Sequence, residues 1–204
     1  MTFAAALAGQ LARPRGSVGR LLGHAMDFAN RKPTRLAIDL LAPRAGERIL
    51  DAGCGTGAAL DAMLRRGATD VIGIDPSGVM TKMAAGRLKA RAAVHRSSIE
   101  SMSFEPASFD GALLLNVLYF CDADGSQLAC VRDVLKPGGR AVAYVTHRDT
   151  MSNWAFARVG RHRLYDEGEL MDIFVRAGFA RETVSVQSHA ITNSVIGLLA
   201  IATR

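Results

Sequence analysis

The chain has 204 residues, of which 49% are hydrophobic and 6% aromatic, and its formal net charge is +6. This length and composition predict one globular domain with a substantial core, and they exclude a separate substrate-recognition domain. No stretch approaches the ~18 consecutive apolar residues of a membrane-spanning helix, and no basic residue precedes the short apolar run at the N-terminus. We therefore expect a cytoplasmic protein that meets a membrane at most peripherally.

Two apolar stripes open the chain. Phe3, Leu7 and Leu11 recur at helical spacing and predict a helix packed on the domain, which the segment 13–16 ends with Arg-Pro-Arg-Gly. A second apolar stripe then begins and runs through residues 18–26. We interpret residues 1–35 as a helical arm.

This arm also holds most of the net charge. Residues 1–35 contain six basic side chains and one acidic side chain, Asp27, a net charge of +5 that leaves +1 for residues 36–204. The charge favours contact with an anionic partner such as a membrane surface, although a solvated charged face has the same composition. We hypothesise that the arm is a lid over an acceptor pocket or a membrane anchor.

Alternating strands and helices follow the arm. A helix is predicted near 34–42, with Thr34 at its start and Pro43 beyond its end. The next predicted elements are strand 48–52, helix 57–66, strand 71–75, helix 77–90, strand 92–96, strand 109–115, helix 124–135, strand 139–146 and helix 166–177. This alternation is typical of a parallel sheet. The segments 181–188 and 192–203 predict two further strands with no crossover helix between them, hence an antiparallel pair.

A glycine loop follows the first strand, where residues 49–57 read ILDAGCGTG. Glycines at every second position let backbone amides approach a ligand closely, and the following helix points its partially positive end the same way, as in nucleoside sites. The spacing of Gly53, Gly55 and Ala58 also satisfies the dinucleotide fingerprint, so the loop alone leaves an NAD site open. Asp51 would repel a pyrophosphate and suits a cation.

Three later motifs complete a familiar series. Asp75 ends a strand and is followed by residues 76–80, PSGVM; SFDGALLLN occupies 108–116, and LKPGGR occupies 135–140. In this order the four motifs resemble those of class I S-adenosylmethionine (SAM)-dependent methyltransferases, over residues 36–204. The resemblance implies one α/β Rossmann-like domain with a seven-stranded, mostly parallel sheet, an antiparallel C-terminal hairpin and helices on both faces. It also implies SAM as cofactor and S-adenosyl-L-homocysteine as product.

The resemblance assigns a set of cofactor-binding residues. These are Asp51, Gly53, Cys54, Gly55, Gly57, Asp75, Pro76, Met80, Ser98, Ile99 and Asn116. Asp75 would hold the ribose hydroxyls and Asp51 the amino group, while Pro76 and Met80 would pack on adenine. Ser98 stands where many members have an Asp that binds adenine, so the Ile99 backbone is the alternative contact there. Asn116 either touches the cofactor or caps a turn.

Candidate catalytic residues follow the fourth and fifth strands. His147 could serve as a general base for an oxygen or nitrogen acceptor, or it could be a hydrogen-bonded structural histidine. Tyr119 would shape the pocket wall. His24 and Tyr165 are further candidate substrate contacts, although Tyr165 also precedes a predicted helix capped by Asp166.

Absent motifs limit the acceptor and the metal content. Cys54, Cys121 and Cys130 lack metal-ligand spacing and are expected as reduced thiols, and no carboxylate cluster predicts a metal ion. Residues 116–119 read NVLY where nucleic-acid base methyltransferases carry an Asn/Asp-Pro-Pro-aromatic motif, which argues against a nucleic-acid substrate. The leading interpretation is a methyltransferase acting on an oxygen or nitrogen atom of a small molecule. A phospholipid N-methyltransferase at a membrane surface and a non-catalytic or NAD-dependent nucleotide-binding protein are the alternatives.

Overall fold

The structure is a computed structural model that describes residues 2–68, 70–160 and 162–204. The strands are β1 (Arg48–Ala52), β2 (Asp70–Ile74), β3 (Ala93–His95), β4 (Phe109–Leu115), β5 (Leu135–Thr146), β6 (Val184–Ala190) and β7 (Ile196–Thr203). The helices are α1 (Phe3–Ala12), α2 (Gly16–Ala29), α3 (Arg31–Leu41), α4 (Ala58–Arg65), α5 (Gly78–Leu88), α6 (Ser126–Val134), α7 (Arg148–Met151) and α8 (Glu167–Arg176).

All seven strands belong to one sheet, in the order β3-β2-β1-β4-β5-β7-β6. The pairs from β3 to β5 are parallel, whereas β7 is antiparallel to both β5 and β6. This arrangement confirms the predicted fold class. The strand order reverses between β1 and β4, and a ligand crevice forms beyond the carboxyl ends of such strands.

The sheet is buried on both faces. One face packs against α3, α4 and α5 through side chains such as Ile38, Leu60 and Leu88. The other face packs against α6 and α8, with Leu128 and Phe174 in that layer. Because both faces need apolar cover, β4 reads as a nearly continuous apolar run rather than an alternating one.

Four predicted starts were wrong by three or four residues, among them those of β6, which begins at Val184 rather than 181, and of β7, which begins at Ile196 rather than 192. Helix α3 begins at Arg31 rather than Thr34, since Pro33 fits the first helical turn, where its missing N–H has no partner to lose. Strand β5 begins at Leu135, four residues before its predicted start. Leu135 pairs with Phe109 and the register shifts beyond that pair, so the LKPGG segment is an irregular start of the strand instead of a turn before it.

The predicted arm is part of the domain. The Ser77 hydroxyl donates a hydrogen bond to the carbonyl of Pro14 at 2.6 Å, and Lys32 Nζ donates to the carbonyl of Ala190 at 2.6 Å. Ala8 is the buried residue of α1, whereas Phe3 is 84% exposed. The predicted packing of the Phe3 stripe on the domain was therefore wrong at Phe3. Among the described helices, none has the length and apolar character needed to cross a bilayer.

Candidate functional site

Two neighbouring cavities lie at the carboxyl ends of β1, β2 and β4. The larger cavity, of about 270 Å³, is lined by the glycine loop, by Asp75 and Pro76, by residues 97–100 and by residues 115–117. The smaller cavity, of about 80 Å³, lies against Asp51, the glycine loop and α2. Both form at the reversal of strand order, where the topology predicts a ligand.

Nearly all of the predicted cofactor-binding residues line one or both of these cavities. Gly53, Gly55, Asp75, Pro76, Met80, Ser98, Ile99 and Asn116 line the larger cavity. Asp51 and Cys54 line the smaller one, together with Gly53, Gly55, Met80 and Asn116. Gly57 lies in neither lining. A β-carbon added at Gly57 would lie 3.0 Å from Ala84 Cβ, so this glycine lets α4 approach α5.

The Asp51 carboxylate has no partner of its own. It is 1% exposed, and neither of its oxygens accepts a hydrogen bond within the described parts of the chain. Burial, together with the nearby Asp75, raises the pKa of Asp51 to about 7. Because an unpaired buried carboxylate is unfavourable, this position suits a ligand that brings a positive charge.

Asp75 fixes the glycine loop. Its Oδ2 accepts a hydrogen bond from the Gly55 amide at 3.0 Å, and its Oδ1 accepts one from the Ser77 amide at 2.8 Å. Burial raises the pKa of Asp75, and these two bonds partly oppose the increase. A carboxylate can accept about four bonds, so Asp75 keeps capacity for hydroxyl groups of a ligand in the larger cavity.

Glycine is required at the first two glycine positions of the loop for two different steric reasons. Gly53 has φ +85°, and a β-carbon there would overlap Val117 Cγ2. Gly55 has φ +51° and nothing within 4 Å of such a carbon, so a side chain would project into open space beside the ligand crevice. The loop therefore needs Gly53 for its approach to the segment after β4 and Gly55 for its open surface.

Replacing Gly53 with Ala should destabilise the protein by about 1–3 kcal/mol more than the matched change Gly67→Ala. Both positions have positive φ, but only Gly53 adds an overlap with a neighbouring side chain, whereas Gly67 faces open space. Urea unfolding of both variants measures the difference. Equal losses of unfolding free energy would show that the loop has room to move away from Val117.

Ser98 belongs to a polar wall that the sequence reasoning described incompletely. Its hydroxyl lies 2.9 Å from Ser101 Oγ, and Glu100 lies in the same cavity lining. Hydrogen bonds from its own backbone amide, from Ser98 and from buried Gln127, the last at 2.9 Å to Oε1, lower the pKa of Glu100. Glu100 therefore places an ionised carboxylate in the wall where Ser98 lacks one. The sequence could have indicated Glu100 as this carboxylate, because it lies two residues after Ser98.

Asn116 links the end of β4 to α2. It has φ +59°, its Nδ2 donates to Asn30 Oδ1 at 3.1 Å, and its Oδ1 accepts from the Tyr119 hydroxyl at 3.1 Å. The Tyr119 hydroxyl in turn accepts a hydrogen bond from the Thr146 amide. Asn116 thus lines both cavities while its side chain ties three segments together.

The structure gives Tyr119 and His147 structural positions. Tyr119 is buried, which raises the pKa of its phenol, and its hydroxyl is engaged as described. His147 caps α7, where its Nδ1 accepts from the Asp149 amide at 3.1 Å, and its Nε2 lies 3.3 Å from Glu167 Oε2. Neither residue is among the described residues that line the cavities. Both residues were predicted near the crevice because they follow strand ends, but strand position does not determine the direction of a side chain.

The two further candidate contacts also lie elsewhere. The Tyr165 side chain is buried, and its hydroxyl donates to the Leu118 carbonyl at 2.9 Å. His24 is exposed on α2. Asp166 does cap α8, where it forms a capping box with Glu169. Tyr165 is therefore a core residue ahead of that helix.

An ion pair that sequence reasoning missed fastens α2 to the site. Arg87 Nη2 lies 2.6 Å from Asp27 Oδ2, and Arg87 Nη1 donates to Thr56 Oγ1 at 2.7 Å. The Thr56 hydroxyl donates to Asp27 Oδ1 at 2.5 Å. Asp27 and Thr56 both line the smaller cavity. No local pattern could reveal this cluster, because its members are far apart in the chain.

The thiols in the site are poor nucleophiles. Burial raises the pKa of Cys54 well above its ordinary value, and burial with the nearby Glu100 raises the pKa of Cys121 to about 12. Thiolate is the reactive form, so neither environment activates its cysteine. Within the described residues, no three His, Cys, Asp or Glu side chains lie close enough together to hold a metal ion.

Comparisons with known proteins find likenesses to methyltransferases. Residues 50–143 match the family described as "Methyltransferase domain". A ubiquinone biosynthesis O-methyltransferase of Paracidovorax citrulli is 40% identical over 115 residues, which cover 52% of this chain and 47% of that protein. A demethylmenaquinone methyltransferase of Tropheryma whipplei is 38% identical over 109 residues, covering 53% of this chain and 45% of that protein. The chain thus spans about half the length of these curated relatives.

Solved structures share the whole fold. A SAM-dependent methyltransferase from Mesorhizobium loti has a TM-score of 0.69 and 20% identity, covering 86% of this chain and 98% of that one. A Haloferax volcanii methyltransferase, solved with its Trm112 activator, has a TM-score of 0.78 and 16% identity, covering 89% of this chain and 93% of that one. These likenesses confirm the predicted fold, and the family matched by residues 50–143 is one of methyltransferases, as the sequence motifs predict.

Proposed function

We propose that the protein transfers a methyl group from SAM to a small molecule, since residues 50–143 match the family described as "Methyltransferase domain". The receiving atom would be an oxygen or a nitrogen. Asp51 would hold the ammonium group of SAM, Asp75 the ribose hydroxyls, and Ser98 with Glu100 the adenine edge. The bound sulfonium supplies the methyl group and leaves as a neutral thioether.

The observation that carries the proposal is the unpaired carboxylate of Asp51. Its two oxygens are buried without partners beside a cavity of about 80 Å³. An ammonium group would supply both the positive charge and the hydrogen bonds that this carboxylate lacks. The pyrophosphate of NAD would instead bring negative charge to the same place, which disfavours the dinucleotide alternative.

The residues of this chain would act mainly by positioning. Asp75 and the glycine loop form one hydrogen-bonded unit, and Met26 of α2 lines both cavities. Holding donor and acceptor in line can supply up to ~7–11 kcal/mol of barrier reduction, and exclusion of water strengthens the charged contacts.

The cavity lining also bears on the acceptor. Relatives' names range from ubiquinone and menaquinone to a tRNA U34 carboxymethyltransferase, so likeness alone assigns no acceptor. Leu11, Val117 and Phe120 give part of the larger cavity an apolar wall. Its described lining includes neither histidine nor lysine. We therefore favour an apolar acceptor whose reacting atom needs little help from a base, such as an amine or an acidic phenol.

Calorimetry of the purified chain tests the cofactor assignment. SAM and S-adenosyl-L-homocysteine should bind, and Asp75→Ala should weaken both by roughly 10- to 150-fold, because charge-assisted hydrogen bonds worth about 1.5–3 kcal/mol are lost. Asp172→Ala, an exposed change on α8, is the control and should bind normally. Tighter binding of NAD than of SAM would overturn the proposal.

An acceptor screen separates the two methyltransferase alternatives. The assay would measure S-adenosyl-L-homocysteine release with soluble amines, with phenols and with phosphatidylethanolamine vesicles. Turnover with a soluble acceptor supports the small-molecule enzyme. Turnover with the vesicles alone would favour a phospholipid N-methyltransferase instead.

A further inference from the structure

Helix α2 turns its small and polar side chains toward the domain. A β-carbon at Gly19 would lie 2.8 Å from the Pro14 backbone, and one at Gly23 would lie 2.9 Å from Thr56 Cγ2. Asp27, further along the helix, pairs with Arg87. The inner face of α2 therefore consists of Gly19 and Gly23, of Met26, which lines both cavities, and of Asp27 with its ion pair.

The opposite side of the helix is apolar and exposed. Val18, Leu21, Ala25 and Phe28 recur at spacings of three and four residues and form the α2 outer face. Val18 is 61% exposed, Leu21 74% and Phe28 70%. Isolated exposed apolar side chains are ordinary, but a stripe of them along one helix marks a binding surface. The predicted stripe runs through residues 18–26; the structure places Val18, Leu21 and Ala25 of it on the outside together with Phe28, whereas Met26 lines the cavities.

In the sequence, basic residues flank this stripe on both sides, and two of them also bond to the domain, Arg13 to the Pro76 carbonyl and Lys32 to the Ala190 carbonyl. All of these basic residues are exposed, and they are Arg13, Arg15, Arg20, Arg31, Lys32 and Arg35. The guanidinium of Arg31 lies 4.8 Å from the ring centroid of Phe28, so charge and apolar surface are directly adjacent there. Asp27, the acidic residue of this segment, is neutralised by its pair with Arg87.

We propose that the α2 outer face binds the surface of an anionic lipid bilayer. An apolar stripe bordered by arginines matches the boundary between acyl chains and negatively charged headgroups. A second copy of the chain fits poorly, because it would bring the same basic residues against one another. Phe3 of α1, 84% exposed, is a further exposed apolar side chain of the N-terminal segment.

Membrane binding through this face would leave the proposed cofactor-binding residues accessible. The inner face of α2 borders the cavities through Gly23 and Met26, while the outer face points away from them. The helix would therefore lie between the bilayer and the site. The proposal does not depend on methyl transfer, because vesicle binding and cofactor binding are measured separately and either can fail alone.

Flotation of this chain with vesicles tests the proposal. The protein should float with vesicles of phosphatidylcholine containing phosphatidylglycerol at low salt, and much less with pure phosphatidylcholine or at high salt. The double variant Leu21→Ser with Phe28→Ser should lower the partition coefficient at least ~10-fold. Ile196→Ser, which alters an exposed side chain at the start of β7, is the matched control and should float as the unaltered chain does.

Folding and self-association need separate checks. The double variant should keep its affinity for S-adenosyl-L-homocysteine, since Leu21 and Phe28 lie outside the described cavity linings. Unchanged flotation of the double variant would overturn the proposal. So would a dimer of the unaltered chain that becomes monomeric in the double variant by light scattering, because the face would then bind a second copy.

Discussion

Replacing Asp51 with Asn should stabilise the ligand-free protein above pH 7 and, at the same time, remove its high-affinity cofactor binding. The folded-state pKa of Asp51 is about 7, against an ordinary value of 3.8. Between these values the folded state holds a proton that the unfolded state has released, so stability falls as the pH rises through this window. A neutral amide of nearly the same shape avoids that loss.

The same titration should appear in cofactor affinity. Only the ionised carboxylate complements an ammonium group, so the affinity of the unaltered protein should rise from pH 6 to pH 8 and level off above the pKa of about 7. Asp51→Asn should bind roughly 10- to 150-fold more weakly at pH 8 and lose this pH dependence. Thermal unfolding and calorimetry across this range measure both effects.

Asp61→Asn is a control for which the opposite change in stability is expected. Burial opposes its ionisation, but hydrogen bonds from Arg91 and Arg65 outweigh burial and lower its pKa. Asp61→Asn should therefore lower stability near neutral pH and leave cofactor affinity unchanged. If Asp51→Asn destabilised the protein as Asp61→Asn does, the unpaired carboxylate would have a partner that contradicts our account of the site.

Inserting a side chain between α2 and the glycine loop should have the second largest effect. In Gly23→Val the new β-carbon would lie 2.9 Å from Thr56 Cγ2 and 3.1 Å from Met80 Cε. The Met80 methyl can swing aside, but Thr56 is held by hydrogen bonds with Asp27 and Arg87. We expect a loss of about 1–3 kcal/mol in unfolding free energy and at least ~10-fold weaker cofactor binding.

Gly9→Ala is the control for this experiment. Gly9 lies in α1, and a β-carbon there meets nothing within 4 Å. Alanine should stabilise that helix slightly and leave cofactor binding unchanged. Normal cofactor affinity in Gly23→Val would mean that α2 can move outward without opening the site, and it would contradict the role of α2 as a wall of the smaller cavity.

Local sequence patterns predicted the part of the site that is built locally. The glycine loop, Asp51 and Asp75 follow directly from strand ends, and the structure places them around adjoining cavities. The start of β5 was missed because it depends on pairing between Leu135 and distant Phe109. Tyr119 and His147 were placed by strand position alone, which does not determine what a side chain contacts.

The contribution of the N-terminal segment could not be predicted in the same way. Periodicity identified an apolar stripe on α2, but it could not tell which side of the helix would pack inward. Gly23 lets α2 approach the Thr56 and Met80 side chains closely, and Asp27 pairs with Arg87 from a distant helix, so these two contacts set the orientation. In the structure, α2 of the predicted arm therefore lines the smaller cavity.

The placement of Asp51 and Asp75 bears on how the proposed enzyme would behave over many turnovers. These carboxylates would hold the ammonium and the ribose, which are identical in SAM and in S-adenosyl-L-homocysteine. Contacts of this kind bind reactant and product alike and do not favour the transition state. Accumulating product would then compete with fresh SAM for the crevice. The rate in a cell would follow the ratio of the two compounds rather than the concentration of SAM alone.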